Sequence, residues 1–142
     1  MLCLSQLVYN KYMTKSDKLK GTTLQNFTPL GKKTNIAELQ IIDLTVGTGE
    51  ETPADATITA HYTGALATDG TIFESSHDSG RPATFGLNQV IDGWTVGVPG
   101  MKVGGTRRLV IPSEMAYGHR RASAQIAPNS DLVFDIELIA IQ

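Results

Sequence analysis

The stretch "VIDGWTVGVPGM" (Val90–Met101) carries the only tryptophan of the 142-residue chain. Gly93 permits a sharp turn beside Trp94, and Pro99 limits any helix begun near Ile91, because proline lacks the amide that a helix interior needs. The pattern predicts one short helix over Ile91–Val98, closed by Pro99 and Gly100. That helix decides the fold because the neighbouring segments read as strands.

"DLVFDIELIAIQ" (131–142) alternates most clearly: Leu132, Phe134, Ile136, Leu138 and Ala140 point one way, Asp135 and Glu137 the other. In "ATITAHYTGAL" (56–66), Ala56, Ile58, Ala60 and Tyr62 share a face opposite Thr57, Thr59, His61 and Thr63. "TRRLVIP" sets Arg107, Leu109 and Ile111 against Thr106, Arg108 and Val110. "ELQIIDLTVG", "TIFESS" and "ATFGL" read as further strands, "TDG" (68–70) as a hairpin turn, and "PSEMAYG" as one helical turn. An antiparallel sheet with an apolar face needs a cover, and the Trp94 helix is the apolar element left to supply it.

Composition narrows the class. With 41% apolar and 18% charged residues, the chain can bury an ordinary core. A formal charge of −2 argues against nucleic acid or an anionic membrane as the main partner. The single cysteine, Cys3, allows no internal disulfide, and a reduced, cytoplasmic setting is the simplest expectation. "MLCLSQLVY" lacks a basic lead and a cleavage pattern, so neither a signal nor an anchor is expected, and Met13 is an alternative start. Residues 1–35 hold six lysines and no sustained period, which predicts a flexible basic N-terminal arm ahead of one domain over 36–142.

Familiar catalytic sets are missing from the sequence. Cys3 has no histidine at a useful spacing, and His61, His77 and His119 form no zinc pattern, so neither metal nor cofactor is expected. Aromatics stand out instead. Tyr62, Phe73, Phe85, Trp94, Tyr117 and Phe134 come from separate strands and turns. Each taken singly suits a core. Trp94 beside Gly93, and Tyr117 between Ala116 and Gly118, suit a concave aromatic pocket as well.

"AHYTG" (60–64), "FESS" (73–76), "QVIDGW" (89–94), "MKVGGTRRLVIP" (101–112), "AYG" (116–118) and "LVFDIELI" (132–139) together resemble the FK506-binding protein (FKBP) family of peptidyl-prolyl isomerases, in its bacterial form. The resemblance runs from about Glu38 to Gln142. It implies an α+β fold, a five- to six-stranded antiparallel half-barrel curled around one short helix. It implies a shallow apolar site with Trp94 as floor and Tyr62, Phe73, Phe85 and Phe134 as walls. Val90 and Ile91 would lie where the helix begins, the Ile91 amide donating to a bound carbonyl, and Tyr117 and Ile126 would lie on the rim. It further implies isomerisation of X-Pro bonds in client polypeptides, as a folding helper, without cofactor or metal. Binding of FK506- or rapamycin-type macrolides and a monomeric state are the accompanying expectations.

Three positions depart from the family pattern, one of them Gln125 in place of an apolar rim residue. Glu74 stands where the family usually has Asp, and Ser79 replaces a basic residue that normally pairs with it. A pocket phenylalanine of the small eukaryotic prototype is Ala83 here, with Phe85 in compensation. Two other readings therefore stay open: a proline-segment binding module with weak or no catalysis, and a scaffold domain docked to a partner through its basic arm.

Overall fold

The computed structural model describes residues 18–31, 37–120 and 122–142. Cys3, Met13, Lys11, Lys15, Lys32, Lys33 and the boundary between 35 and 36 lie outside the described residues. Six strands form one antiparallel sheet: β1 (Gln40–Thr45), β2 (Thr57–Leu66), β3 (Ile72–Ser75), β4 (Ala83–Gly86), β5 (Thr106–Ile111) and β6 (Leu132–Ile141). Their order is β1-β5-β6-β2-β3, with β4 also paired to β2. β2 runs beside β6 from Ile58↔Ile141 to Leu66↔Leu132, with a register shift between Thr59 and Ala60. Its other edge is shared: β4 pairs with Thr57–Ala60, and β3 with Thr63–Ala65. The turn "TDG" closes the β2–β3 hairpin, with Gly70 at φ +77° and the Asp69 carboxylate accepting the Thr71 amide at 2.9 Å.

Strand alternation gives the sheet two distinct faces. Ile58 and Ala60 of β2, Leu109 and Ile111 of β5, and Leu132, Phe134, Ile136 and Leu138 of β6 are buried on the concave face. Each such aliphatic side chain contributes about 1.5–3 kcal/mol on burial. The cover is α1 (Asp92–Gly97), six residues long, with Ile91 and Val98 as its flanking caps. Trp94 and Val98 face the sheet, while Val96 is 58% exposed.

Gly93 plays a different part from the sharp turn expected of it. It lies within α1, and a Cβ there would come within 2.6 Å of the Ile111 side chain. Gly97, one turn on, would meet Leu109 at 2.7 Å. Residues four apart share a helix face, so the two glycines form a flat strip that lets α1 lie against β5. Arg107 then holds the helix end, donating to the carbonyls of Gly97 at 2.8 Å and Pro99 at 3.2 Å, and to Asp43 of β1 at 2.7 Å. A guanidinium there meets the negative end of the helix dipole.

The expected flexible arm is corrected for residues 18–31, which form a strap docked on the convex face. Leu19 and Leu24 are 8% and 6% exposed and pack with Ala65, Ala67, Ile72, Val110 and Val133. Backbone bonds tie the strap to the β2–β3 hairpin, Gly21 N–H to Ile72 C=O and Ile72 N–H to Thr22 C=O, both at 2.8 Å. Arg108 grips Asp135 through two nitrogens at 2.7 and 2.8 Å and donates to the carbonyls of Asn26 and Gln25. The physical reason is simple: Val110 and Val133 alternate onto a face that would otherwise leave apolar surface in water. Among the described residues, no helix is long and apolar enough to cross a membrane.

Candidate functional site

α1 and the strands β2, β4 and β6 bring aromatic rings together at Trp94. Its ring, 4% exposed, meets Phe85 at 5.1 Å, Phe134 at 5.4 Å and Tyr62 at 5.6 Å between centroids, each in an edge-on arrangement. Such contacts add about 0.5–1.5 kcal/mol each beyond area burial and fix ring orientation. Phe73 stands edge-on to Phe134 at 5.7 Å, and Tyr62 to Phe85 at 5.5 Å. Gly64, opposite Phe134 in the β2–β6 register, makes room for these rings. A Cβ at Gly64 would lie 2.6 Å from Phe134 and 2.7 Å from Phe73.

The structure thus brings Tyr62, Phe73, Phe85, Trp94 and Phe134 together. Val90 and Ile91 are half-buried against the same core, immediately before α1. The Ile91 carbonyl accepts from the Trp94 and Thr95 amides at 2.9 and 3.2 Å. Its own N–H donates to no acceptor among the described residues. The Trp94 indole N–H is likewise buried without a partner among them. Buried donors are usually satisfied, so an unpaired one is worth noting in a site built of aromatic walls.

Glu74 is exposed on β3, beside the Tyr62 phenol. Burial first, then the neighbouring Glu74 carboxylate, push the Tyr62 phenol well above its ordinary range. Tyr117 is also raised, by burial and by Glu74. Both phenols therefore stay protonated, and remain donors, throughout the neutral range. Tyr117 is 40% exposed.

Ile126 is 4% exposed and packed against the core, and it lines the cavity beside Glu74 together with Tyr117. The loop folds inward at Ser123, whose hydroxyl accepts the amides of Gln125 and Ile126 at 3.2 Å. Sequence reasoning missed Lys18 and Lys20 as neighbours of the site. With Phe73, Glu74, Tyr117 and Ile126 they line a cavity of about 360 Å³. Their only signal was the pair of apolar anchors, Leu19 and Leu24, set among lysines and threonines. Among the described residues, no group of three or more His, Cys, Asp or Glu side chains could hold a metal.

Comparison with known proteins accords with this geometry. A family model described as FKBP-type peptidyl-prolyl cis-trans isomerase matches residues 48–139. The FKBP-type peptidyl-prolyl cis-trans isomerase FkpA of Aeromonas hydrophila is 49% identical over 112 residues, covering 79% of this chain and 41% of that one. An FK506-binding protein of Neisseria meningitidis serogroup A is 47% identical over 108 residues, covering 75% and 98%. A crystal structure of a peptidyl-prolyl cis-trans isomerase from Pseudomonas syringae superposes with a TM-score of 0.67 at 41% identity, covering 77% of this chain and 80% of that one. The chain therefore spans less than half of the Aeromonas relative and nearly all of the neisserial one.

Proposed function

Since the chain belongs to the FKBP-type peptidyl-prolyl cis-trans isomerase family, we propose that it accelerates cis-trans exchange at X-Pro bonds of polypeptide clients. The observation that carries this reading is the Trp94 floor ringed by Tyr62, Phe85 and Phe134. Resonance gives the planar peptide bond a rotational barrier of about 18–20 kcal/mol. X-Pro bonds populate both isomers yet exchange uncatalysed only in tens of seconds or more. Twisting the amide removes resonance and with it charge separation, so an apolar aromatic surface favours the twisted form relative to water. The Ile91 amide, which meets no acceptor among the described residues, is suited to hold a flanking carbonyl of the bent substrate. Interactions that strengthen in the twisted state lower the barrier, and no nucleophile, metal or proton transfer is needed.

We place Tyr62, Phe73, Glu74, Trp94, Tyr117 and Phe134 in contact with the reacting segment, and Phe85, Val90, Ile91 and Ile126 in support of its binding. FK506- and rapamycin-type macrolides, rigid and apolar, would occupy the same surface, and a monomer acting as a folding helper completes the proposal. A proline-peptide exchange assay with and without such a macrolide is the test. Macrolide-sensitive acceleration supports the reading, and folded protein with no acceleration ends it.

One observation favours the binding-module alternative. The Glu74 carboxylate lies close enough to the Tyr62 phenol to raise its pKa, so the acid has a neighbour that competes with a substrate amide for it. Shortening the side chain by one methylene in Glu74→Asp should then raise kcat/KM severalfold. An unchanged rate would show that the length of this acid is immaterial.

A further inference from the structure

The cavity beside Glu74 is walled on one side by the docked strap, and two lysines and two acids, Glu74 and Asp78, line it. Lys18 and Lys20 line it, both exposed, and neither ammonium is in an ion pair among the described residues. Of the two acids that share the cavity, Asp78 accepts the backbone amides of Leu19 at 2.6 Å and Lys20 at 3.0 Å, and Glu74 lies beside the Tyr62 phenol. The Asp78 bonds have a structural consequence. They pin the strap's backbone at the cavity edge, so the lysines on either side of Leu19 are held there by main-chain geometry and not by chance. The cavity adjoins the aromatic site: its wall residue Phe73 stands edge-on to Phe134, and Glu74 lies beside Tyr62.

We propose that Lys18 and Lys20 form a cationic subsite which selects client segments carrying an aspartate or glutamate a few residues from the proline. The inference rests on the proline-directed reading above and adds a substrate class to it. A bound client lying over Trp94 and leaving past Glu74 and Tyr117 runs toward the strap. A carboxylate on that stretch finds two unpaired ammonium groups. An amide at the same place finds no charge partner in the two ammonium groups, and a lysine beside them meets like charge. Exposed cation–carboxylate contacts favour binding by about 1.5- to 5-fold each, and salt weakens them.

The test uses the full chain and proline peptides matched except for Asp, Asn or Lys two or three residues from the proline, on either side. Both turnover and binding are read, the latter by titrating Trp94 fluorescence. At low salt the Asp peptide should exceed its Asn partner by about 1.5- to 5-fold in kcat/KM at one or more placements. The ratio should fall toward one near 1 M salt, where the screening length is about 3 Å. It should also fall toward one in K18Q/K20Q, and turn in favour of the Lys peptide in K18E/K20E. Equal Asp and Asn ratios in the unaltered chain at low salt would overturn the subsite, as would a preference that survives charge reversal. Turnover of every peptide without charge preference leaves the isomerase reading standing and removes the subsite. Charge-selective binding without turnover removes the isomerase reading and retains the subsite.

Discussion

On the concave face of the sheet, a six-residue helix presents Trp94, Val98 and two glycines to fully buried Leu109 and Ile111. On the convex face, an extended strap with no helix or strand of its own presents Leu19 and Leu24 to Val110 and Val133. Both covers bury apolar side chains, but they are held differently. α1 is fixed by close helix–strand contact and by Arg107 at its end. The strap is fixed by backbone bonds to the hairpin, by Asp78 and by the Arg108 fork. The contrast teaches how a single sheet can support two tasks. Its concave side is rigid enough to hold aromatic rings at set angles, and its convex side carries a polar-anchored segment whose end reaches the same site.

The same truncation on each face tests this contrast most severely. Leu109→Ala should cost about 2–5 kcal/mol, since Leu109 is wholly buried between α1 and the sheet and cannot collapse without moving the helix. Leu24→Ala should cost less, near the lower end of that range, because the strap can settle into the gap or peel away. Denaturant melts of the two variants give the difference directly. An equal loss at both positions would mean that the strap is as integral to the core as α1.

Arg108→Met asks what the convex anchor is worth. The Arg108 and Asp135 side chains are 8% and 20% exposed, and removing the cation leaves the acid and two strap carbonyls without their donor. A loss of about 3 kcal/mol is expected, at the lower edge of what breaking a buried pair costs because Asp135 keeps some water. Amide hydrogen exchange should rise in residues 18–31 ahead of α1. Uniform loss of protection over both faces would contradict the separation drawn here.

Gly93→Ala tests the other anchor. Alanine favours a helix by up to about 1 kcal/mol over glycine, yet its methyl would meet Ile111 at 2.6 Å. Overpacking of this kind costs about 1–3 kcal/mol, so a net loss near 1 kcal/mol is expected. A more stable variant would show that Ile111 has room to turn aside. The Trp94 emission spectrum should shift in the same variant, because lifting α1 alters the ring's surroundings.

How much of this could be read from the chain follows from where each signal originates. β2, β5 and β6 alternate over enough residues that their two faces, and the aromatic cluster they create with Trp94, are written in the order of side chains. Gly93 carried an ambiguous sign, since a glycine marks either a turn or a close approach, and only the position of Ile111 separates the two. The strap gave no period because its order comes from backbone bonds to the hairpin and from a guanidinium 80 or so positions away, as the separation of 82 between Arg108 and Asn26 illustrates. The burial of Ile126 is hidden for a similar reason. A local turn on the Ser123 hydroxyl, invisible as periodicity, brings it against the core.

The smallest expected effect lies on the polar end of the convex face, away from the strap's apolar anchors. His61 and Glu137 are cross-strand partners in the β2–β6 register, and the His61 ring stacks on His77 at 4.2 Å. His61 Nδ1 shares a hydrogen bond with the Ser76 hydroxyl at 2.8 Å, and that same oxygen accepts the Tyr62 amide. His77 meets Glu137 at 2.6 Å. Burial, then the neighbouring His77, lower the His61 pKa from 6.5, and Glu137 offsets part of this. The unfolded chain therefore binds a proton that the folded chain resists. Stability contributed by neutral His61 is complete above pH 6.5 and is lost as the pH falls from there to the depressed folded value. The slope cannot exceed one proton's worth, about 1.4 kcal/mol per pH unit, and His61→Gln should flatten it. Melts of the two proteins from about pH 7 to pH 5 supply the measurement, set against the unshifted histidine of a free peptide. If the two pH profiles run parallel, His61 is not the group that titrates. If they diverge, the loop beginning at Ser76, which follows Glu74 by two residues, is tied to the sheet by a bond that acid weakens. The convex face would then reach the site by a second route, one that depends on pH where the strap depends on salt.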